Sequence, residues 1–487
     1  MAYSKLTSTF LLTSFIATLL SAHTNNEKIH ALKNNGLLIY NKQKSVDSFH
    51  DMFNQGDFYG RLRSNNFYFA YKQPDSSHYT QTVGSVGGSF VFKSAHYKGF
   101  DTTLGLYASQ AFFVDKNDPV GSLKAAKDTF SRYNYVNTGS KSMAVLGQAN
   151  IAYTYSQTKF TLGRQLVETF YTKSNDTKMI PNTFDGLVLD SKDMKKTRIK
   201  FAYLQKQKLR DHTDSHSVLM YGDANSSSHI KPQWSQNDDG AMHRGLSYTA
   251  LKAAGKPTDA PLIVLDAQNS SVKNLKLNFS SYLVPDLLSQ VMGEANYKIA
   301  FDGFSITPGL RYIQQFDNGA GKVGGASLYK IGLNGYKNAN SLNAAMLGAR
   351  VVARIKDYRI NLAYTGIFDK ADLVTPWRGF PTAGYTRSMG MYNWRANVKS
   401  YRIELVKGAN SKGIYTTPFL QTSVLYMDGD KSKAETDSLF YYAGIIQNLP
   451  SAPQFQYRLR LGWRDFLSSA TPVSNYLDSR FELDYLF

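Results

Sequence analysis

Over much of the C-terminal two thirds of the chain, apolar and polar residues alternate at every second position, and this period constrains the fold more than any other feature. The clearest run is 342–355, where Leu347 and Val351 share one face and Arg350 and Arg354 share the other. Because the side chains of a β-strand point alternately to the two faces of a sheet, a period of two predicts strands. Helical spacing is scarce, so the sequence predicts an all-β protein.

The composition of the two faces indicates a membrane barrel rather than a soluble sandwich, which would also alternate. In 454–464, Tyr457 and Trp463 stand on one side and Arg458 and Arg460 on the other. Apolar faces with bulky aromatics and polar faces with arginines are typical of strands that face lipid outward and water inward. Aromatic residues make up 14% of the sequence, which fits the aromatic girdles of such barrels. The same alternation appears in 197–203 and 274–283.

The connections between the predicted strands are of two lengths. Some are as short as the two-residue hairpin signal at 302–303, and others are long stretches rich in Gly, Ser, Asn and Asp. This pattern predicts a transmembrane antiparallel β-barrel with long extracellular loops and short periplasmic turns. About 18 strands fit the chain, a size at which the lumen is an aqueous channel. The long stretches are 205–260, 314–341, 366–392 and 427–438.

Residues 1–22 have the layout of a secretory signal peptide, with one basic residue, Lys5, an apolar run over 10–20 and small residues at the exit. We expect cleavage near Ala22 and a place in the bacterial outer membrane. The alternative, a buried N-terminal helix, is disfavoured by the abrupt change to polar residues after Ala22. A helix needs about 18 consecutive apolar residues to cross a membrane, and the rest of the chain has no such run. The sequence therefore predicts no transmembrane helix.

The two ends of the mature chain differ in whether apolar and polar residues alternate. Residues 23–56 do not alternate, and we expect a periplasmic lead-in there, with a plug inside the pore as the alternative. Residues 57–487 form the predicted barrel. Its last strand carries Phe481, Leu483 and Phe487 on one face, which resembles the C-terminal signature that the barrel-assembly machinery reads in outer-membrane proteins. We therefore expect that machinery to bind the chain through Phe487.

Basic residues dominate the faces that the alternation assigns to the lumen, and the formal net charge of the chain is +19. A wall of one sign raises the local concentration of counter-ions, so this bias predicts a preference for anions. The alternative is that the charges only solvate a wet wall. On the closing strands, Glu482 and Asp484 should neutralise Arg61 and Arg63. The predicted ladder consists of Arg198, Lys200, Lys276, Lys298, Arg311, Arg350, Arg354, Arg359, Arg458, Arg460 and Arg464.

Several segments resemble the OprD-like outer-membrane porin family, especially its epsilonproteobacterial branch. The most specific are Met-Ile-Pro-Asn-Thr-Phe-Asp-Gly at 179–186 and Val-Thr-Pro-Trp-Arg-Gly-Phe-Pro-Thr at 374–382. The matches follow one another in order from residue 53 onward, so the resemblance covers most of the mature chain. The remaining segments are 53–56, 60–63, 86–113, 162–165, 174–176, 284–287, 384–387 and 392–394.

This resemblance implies an aqueous channel for the diffusion of small solutes, built as a monomeric barrel or a loose homotrimer. It also implies a basic ladder that guides carboxylate-bearing solutes and inward loops that constrict the pore, near 165–190 and 366–392. The insertion at 205–260 and the segment 23–50 depart from the family pattern, so loop details do not carry over there. The constriction candidates are Asn175, Asp176, Lys178, Arg378, Tyr385 and Arg387.

Other chemistries find little support in the sequence. His212 and His216 have i, i+4 spacing beside Asp211, but they lie in a polar stretch without helical periodicity, so we expect no metal site. The chain has no cysteine and no recognisable nucleophile motif, and we expect neither an enzyme nor a cofactor. An exported chain does not meet nucleic acid, so the expected partners are outer-membrane lipid and small solutes. A barrel whose loops act as an adhesin is the second hypothesis, and an outer-membrane hydrolase is the third.

Overall fold

The computed structural model describes eleven stretches of the chain. The expected signal peptide and its cleavage site lie outside them, as do the constriction candidates Asn175 and Asp176. The described residues are 30–33, 36–39, 43–74, 79–115, 128–174, 178–219, 241–329, 333–411, 413–433, 435–467 and 474–487.

The structure is a closed antiparallel barrel of 18 strands, as the alternation predicted. Each strand pairs with its neighbours in sequence, and the last pairs with the first. The barrel strands are β1 (Asp57–Tyr71), β2 (Gln81–Lys93), β3 (Phe100–Val114), β4 (Ser142–Tyr155), β5 (Thr158–Gln165), β6 (Thr183–Ser191), β7 (Thr197–Lys208), β8 (Leu262–Asn269), β9 (Leu275–Val284), β10 (Leu288–Tyr297), β11 (Phe304–Asp317), β12 (Ala344–Ile355), β13 (Tyr358–Ile367), β14 (Lys399–Lys407), β15 (Phe419–Asp428), β16 (Ser438–Leu449), β17 (Ala452–Phe466) and β18 (Tyr476–Leu486).

Shorter elements accompany the barrel. Two strands, His30–Lys33 and Gly36–Ile39, form a separate hairpin. The remaining short strands are Ser45–Val46, His96–Tyr97 and Ile299–Ala300, and the helices are α1 (Phe49–Asn54), α2 (Arg132–Thr138), α3 (Tyr248–Ala253), α4 (Ala320–Gly324) and a 3₁₀ turn at Lys431–Lys433. No helix among these described elements is long and apolar enough to cross a membrane.

The connections separate into two rims. Short turns such as 156–157 and 356–357 lie at one rim, which is periplasmic in barrels of this kind. The described parts of the long loops, 128–141, 209–219, 241–261 and 368–398, lie at the other. The expected loop bounds need correction where strands extend further than the alternation showed. β7 continues to Lys208 and β11 to Asp317, and the loop expected over 366–392 runs to 398.

The first of the two loops predicted to constrict the pore is also shorter than the prediction. It spans 166–182 instead of 165–190, because Thr183–Ser191 form β6. A register shift lies between Asp185 and Gly186, and an extra residue of this kind interrupts the period of two on which the prediction depended.

The faces of the strands agree with the predicted alternation. In β12, Leu347, Val351 and Ile355 are exposed on the outer surface, while Gly348 and Arg350 face the lumen. Exposed leucine, phenylalanine and tyrosine side chains recur at every second position on most strands, so the outer wall forms the apolar band that a bilayer requires.

The barrel closes between β18 and β1. Arg63 lies opposite Asp484, with Nε 3.1 Å from Oδ1, as expected from the sequence. Glu482 instead binds Arg458 and Arg460 of the preceding strand β17. Beyond β18, the amide of Phe487 donates to the carbonyl of Gly60 at 3.2 Å and its carbonyl accepts from the amide of Gly60 at 3.0 Å. The final aromatic residue therefore takes part in closure.

Candidate functional site

Two loops fold into the lumen and pair with each other. We call them the first inward loop (the described residues of 166–182, which are 166–174 and 178–182) and the second inward loop (368–398). The amide of Lys173 donates to the carbonyl of Trp377 at 3.0 Å, and the amide of Gly379 donates to the carbonyl of Tyr171 at 2.9 Å. A Cβ at position 379 would overlap the carbonyl oxygen of Phe170, so this approach requires glycine.

The paired loops reach opposite parts of the barrel wall. In the second inward loop, the carbonyl of Val374 accepts from the hydroxyl of Tyr282 on β9 at 2.6 Å, and Met391 contacts Tyr476 on β18. The first inward loop packs Met179 against Val91 on the inner face of β2. Together the loops form a partition across the lumen, which we call the septum.

Two further extracellular loops hold the septum in place. The indole Nε1 of Trp377, which is fully buried, donates to the carbonyl of Val218 in the loop 209–261 at 2.6 Å. Asp372 accepts from the amide of Leu328 at 2.9 Å and from the hydroxyl of Tyr336 at 2.8 Å, both in the loop 318–343. Burial raises the pKa of Asp372, and these donors, together with the Ala396 amide, oppose that rise.

Two cavities open on the periplasmic side of the septum. The constriction cavity has a volume of about 360 Å³, and the vestibule cavity about 430 Å³. Glu168 lines both, so they adjoin one another. The charged lining is Lys173, Lys276, Arg311, Arg378, Asp266 and Glu294 in the constriction cavity, and Lys159, Lys192, Lys200 and Asp190 in the vestibule cavity.

One inward carboxylate, that of Glu294 on β10, forms ion pairs with two arginines. Nε of Arg311 donates to it at 2.8 Å, and Nη2 of Arg350 lies 3.6 Å away. The ring of Tyr385 stands between the two guanidinium groups, with its centroid 4.4 Å and 4.6 Å from their central carbons. Burial and the charge of Glu294 raise the pKa of Tyr385 to about 12, so its hydroxyl stays neutral. Gly348 leaves room for this ring beside β12.

The same arrangement of one carboxylate and two cations recurs around the lumen. Glu404 binds Arg359 at 2.9 Å and also Arg402. We call these groups the two-to-one clusters, and each keeps one positive charge in excess. Two more on the barrel wall are Asp190 with Arg198 and Lys200, and Glu482 with Arg458 and Arg460.

The remaining ladder residues have different surroundings. Within the described part of the chain, Lys276 and Arg354 form no ion pair, and both are exposed in the lumen. Lys298 lies beyond β10 at the periplasmic rim. Arg464 donates to the hydroxyl of Ser438 at 3.2 Å and stacks on an aromatic ring near the extracellular end.

The loop candidates for the constriction are more buried than the sequence suggested. Lys178 lies over the ring of Phe67 at 4.7 Å and forms an ion pair with Asp128. Arg378 has a positive φ of 70° and is buried within the septum, and Arg387 stacks on three aromatic rings, the nearest at 4.5 Å. Burial lowers the pKa of both arginines to about 10, so both remain charged at neutral pH.

Sequence reasoning missed Asp190, Glu294, Glu404 and Arg402, which complete the clusters. A signal was present, because β14 alternates strictly between exposed and buried residues over Lys399–Lys407 and places Arg402 and Glu404 on the inner face. Reading that run by its period would have identified both.

Known proteins resemble this chain in two ways, through a family model that matches its sequence and through solved structures that share its fold. A family model described as outer membrane porin, OprD family, matches residues 138–437. The structure is similar to Pseudomonas aeruginosa OccK9 (OpdG), with a TM-score of 0.67 and 14% identity over 90% of this chain and 99% of that one.

Two further solved structures show the same fold. Acinetobacter baumannii OccAB1 has a TM-score of 0.67 and 13% identity over 92% of this chain and 99% of its own. Pseudomonas aeruginosa OpdK, solved with vanillate, has a TM-score of 0.63 and 11% identity over 88% and 98%. None of the curated proteins matches the sequence.

Proposed function

The chain belongs to the OprD family of outer membrane porins and forms a passive outer-membrane channel for small solutes, and from this premise we propose that the channel favours small solutes that carry a carboxylate. Porins of this family are channels and not enzymes. The adhesin hypothesis receives no support from the family match or from the solved relatives.

The observation that carries the proposal is the charge excess of the two-to-one clusters. Inward carboxylates are more numerous than the sequence suggested, but in each of these four clusters one carboxylate is shared by two basic side chains, so each cluster adds one positive charge to the wall. A low-dielectric wall of one sign focuses the potential and concentrates counter-ions. The planar guanidinium group also offers two parallel donors that match a carboxylate.

The constriction cavity supplies a place where such a solute could pause. Its volume of about 360 Å³ suits a small organic molecule, and Lys276 enters it without a carboxylate partner among the described residues. Arg350 and Arg354 continue the path towards the periplasm, about 13 Å apart along β12. Vanillate, found with OpdK, is a small aromatic carboxylate, which agrees with this proposal but at 11% identity does not establish it.

Reversal of charge on β12 tests the proposal. We expect the Arg350→Glu/Arg354→Glu variant to shift the reconstituted channel from anion towards cation selectivity, because both side chains face the lumen. The reversal potential across a planar bilayer with a KCl gradient measures this. The shift should be largest at low salt, because charges are screened beyond about 8 Å at physiological ionic strength.

The matched control makes the same change of charge outside the lumen. Lys252 and Lys322 are exposed on extracellular loops, so Lys252→Glu/Lys322→Glu should leave the selectivity as it is in the unmodified channel. Unchanged selectivity in the β12 variant would disprove the role of these arginines, and a wild-type channel that prefers cations would disprove the proposal itself.

A further inference from the structure

The short helix α1, just ahead of the barrel, has three distinct faces. Met52 is only 4% exposed, whereas Phe49 and Phe53 are 65% and 43% exposed on another face. On a third face, His50 and Asn54 bond to each other at 2.6 Å. Residues four apart share one side of a helix, so the two phenylalanines form a single apolar ridge.

The Met52 face fixes the helix to the periplasmic rim. The amide of Ala95 in the turn between β2 and β3 donates to the carbonyl of Met52 at 2.8 Å. Just before the helix, Ser45–Val46 pairs with His96–Tyr97, and the amide of His96 donates to the carbonyl of Lys44 at 2.8 Å. The helix is thus held in place on a rigid part of the barrel.

The phenylalanine ridge lies against the outer wall and not over the pore. The ring of Phe53 stacks on that of Phe92 at 6.4 Å with an interplanar angle of 11°. Phe92 faces outward, because its neighbour Val91 is buried in the lumen against Met179. Phe92 in turn contacts Phe58, which is 54% exposed on the outer face of β1, at 4.8 Å. The ridge therefore continues the outward aromatic band at its periplasmic edge.

We propose that α1 is an interfacial anchor whose ridge, Phe49 and Phe53, inserts into the phospholipid headgroup region of the periplasmic leaflet. Aromatic rings concentrate at this depth, and amphipathic helices bury an apolar face there while their polar face stays in water. The continuity of the ridge with the lipid-facing band identifies lipid as its occupant. Residues 43–56 of the lead-in then stay beside the channel mouth. This inference does not depend on the solute preference.

Depth-dependent quenching tests the anchor. The chain has no cysteine, so single cysteines can carry an environment-sensitive fluorophore. We would compare Phe49→Cys on the ridge with His50→Cys on the water-facing side and with Phe58→Cys on the barrel wall. The proteins are reconstituted in phosphatidylcholine vesicles containing lipids with a nitroxide at the headgroup or in the acyl chain. Labels at 49 and 58 should be quenched several-fold more than the label at 50.

Iodide in the aqueous phase should give the opposite order, with the label at 50 quenched most. Equal quenching at 49 and 50 by the lipid nitroxides would overturn the anchor, as would protection of position 49 from both lipid and iodide, which would indicate a protein partner. The Phe49→Ser/Phe53→Ser variant, without a label, provides a second measurement. Proteolysis of its lead-in should be several-fold faster than in the wild-type protein in vesicles, and an unchanged rate would also count against the proposal.

Discussion

At the scale of single residues, the inward carboxylates position the arginines as much as they neutralise them. Glu294 holds Arg311 and Arg350 on either side of Tyr385, which fixes two long side chains that would otherwise be mobile. A bidentate guanidinium loses less conformational freedom on binding when it is already oriented. Each carboxylate thus reduces the net charge of the wall and makes the remaining charge more precisely placed.

Removal of one such carboxylate should separate the two effects. We expect Glu294→Gln to raise the anion preference, because a negative charge leaves the lumen. We also expect it to lower the free energy of unfolding by about 1–3 kcal/mol, because the buried donors Arg311 and Asn296 lose a charged acceptor. Reversal potentials and the temperature of the heat-induced gel shift measure these changes. Asp193→Asn, at an exposed periplasmic turn, is the control. A variant with unaltered selectivity would contradict the assignment of Glu294 to the permeation path.

The sequence could place strand residues but not loop residues. The faces of Arg350 and Arg354 followed from alternation alone, since a strand has only two sides. The surroundings of Arg387 did not, because Phe380 and Trp394 come to it through the path of a long irregular loop. The carboxylate partners of the ladder likewise depend on the register between adjacent strands, which a period of two does not fix.

At the scale of elements, the septum depends on backbone contact between two loops far apart in sequence. The backbone bonds of Lys173 and Gly379 join the first inward loop to the second, and we call this contact the joint. The indole of Trp377 bonds the joint to Val218 in the loop that follows β7. Period-two patterns revealed the strands and the approximate loops. They could not reveal this pairing, because it involves three residues in each loop and no repeat. The bulge in β6 also interrupts the period of two, and this interruption concealed the boundary between the first inward loop and β6.

A methyl group at the joint should open the septum. In Gly379→Ala, the new Cβ would overlap the carbonyl oxygen of Phe170, so the two loops must separate. We expect a higher single-channel conductance and more current noise, with the barrel still heat-modifiable. Gly293→Ala is the matched control, because a Cβ there meets no atom within 4 Å. Conductance equal to the wild-type value would show that the joint does not narrow the pore.

At the scale of the whole molecule, closure of the barrel satisfies the backbone of every strand, which is the condition for a sheet in lipid. The strand number, the two rims and the outward apolar band were all accessible from sequence, because each follows from a repeated pattern. The oligomeric state was not, since no repeated pattern encodes it. The epsilonproteobacterial affinity stays a prediction.

Closure itself can be tested at Phe487, whose backbone bonds to Gly60 on β1. We expect Phe487→Ser to reduce the amount of folded barrel in the outer membrane more than the amount synthesised, because the aromatic ring completes the C-terminal pattern. The ratio of heat-modifiable to total protein in membrane fractions measures this. Phe487→Tyr keeps the ring and should assemble normally. Equal yields of folded barrel from both variants would contradict the prediction.

The main-chain joint of the septum also bears on how such channels diverge during evolution. Its two bonds use amide and carbonyl groups that every residue except proline supplies, and only position 379 has a strict size requirement. The charged lining, by contrast, comes largely from side chains on independent strands. Substitutions can therefore change the charged lining while the septum keeps its shape, so one architecture can admit different solutes even when structures of this fold share as little as 11% of their residues.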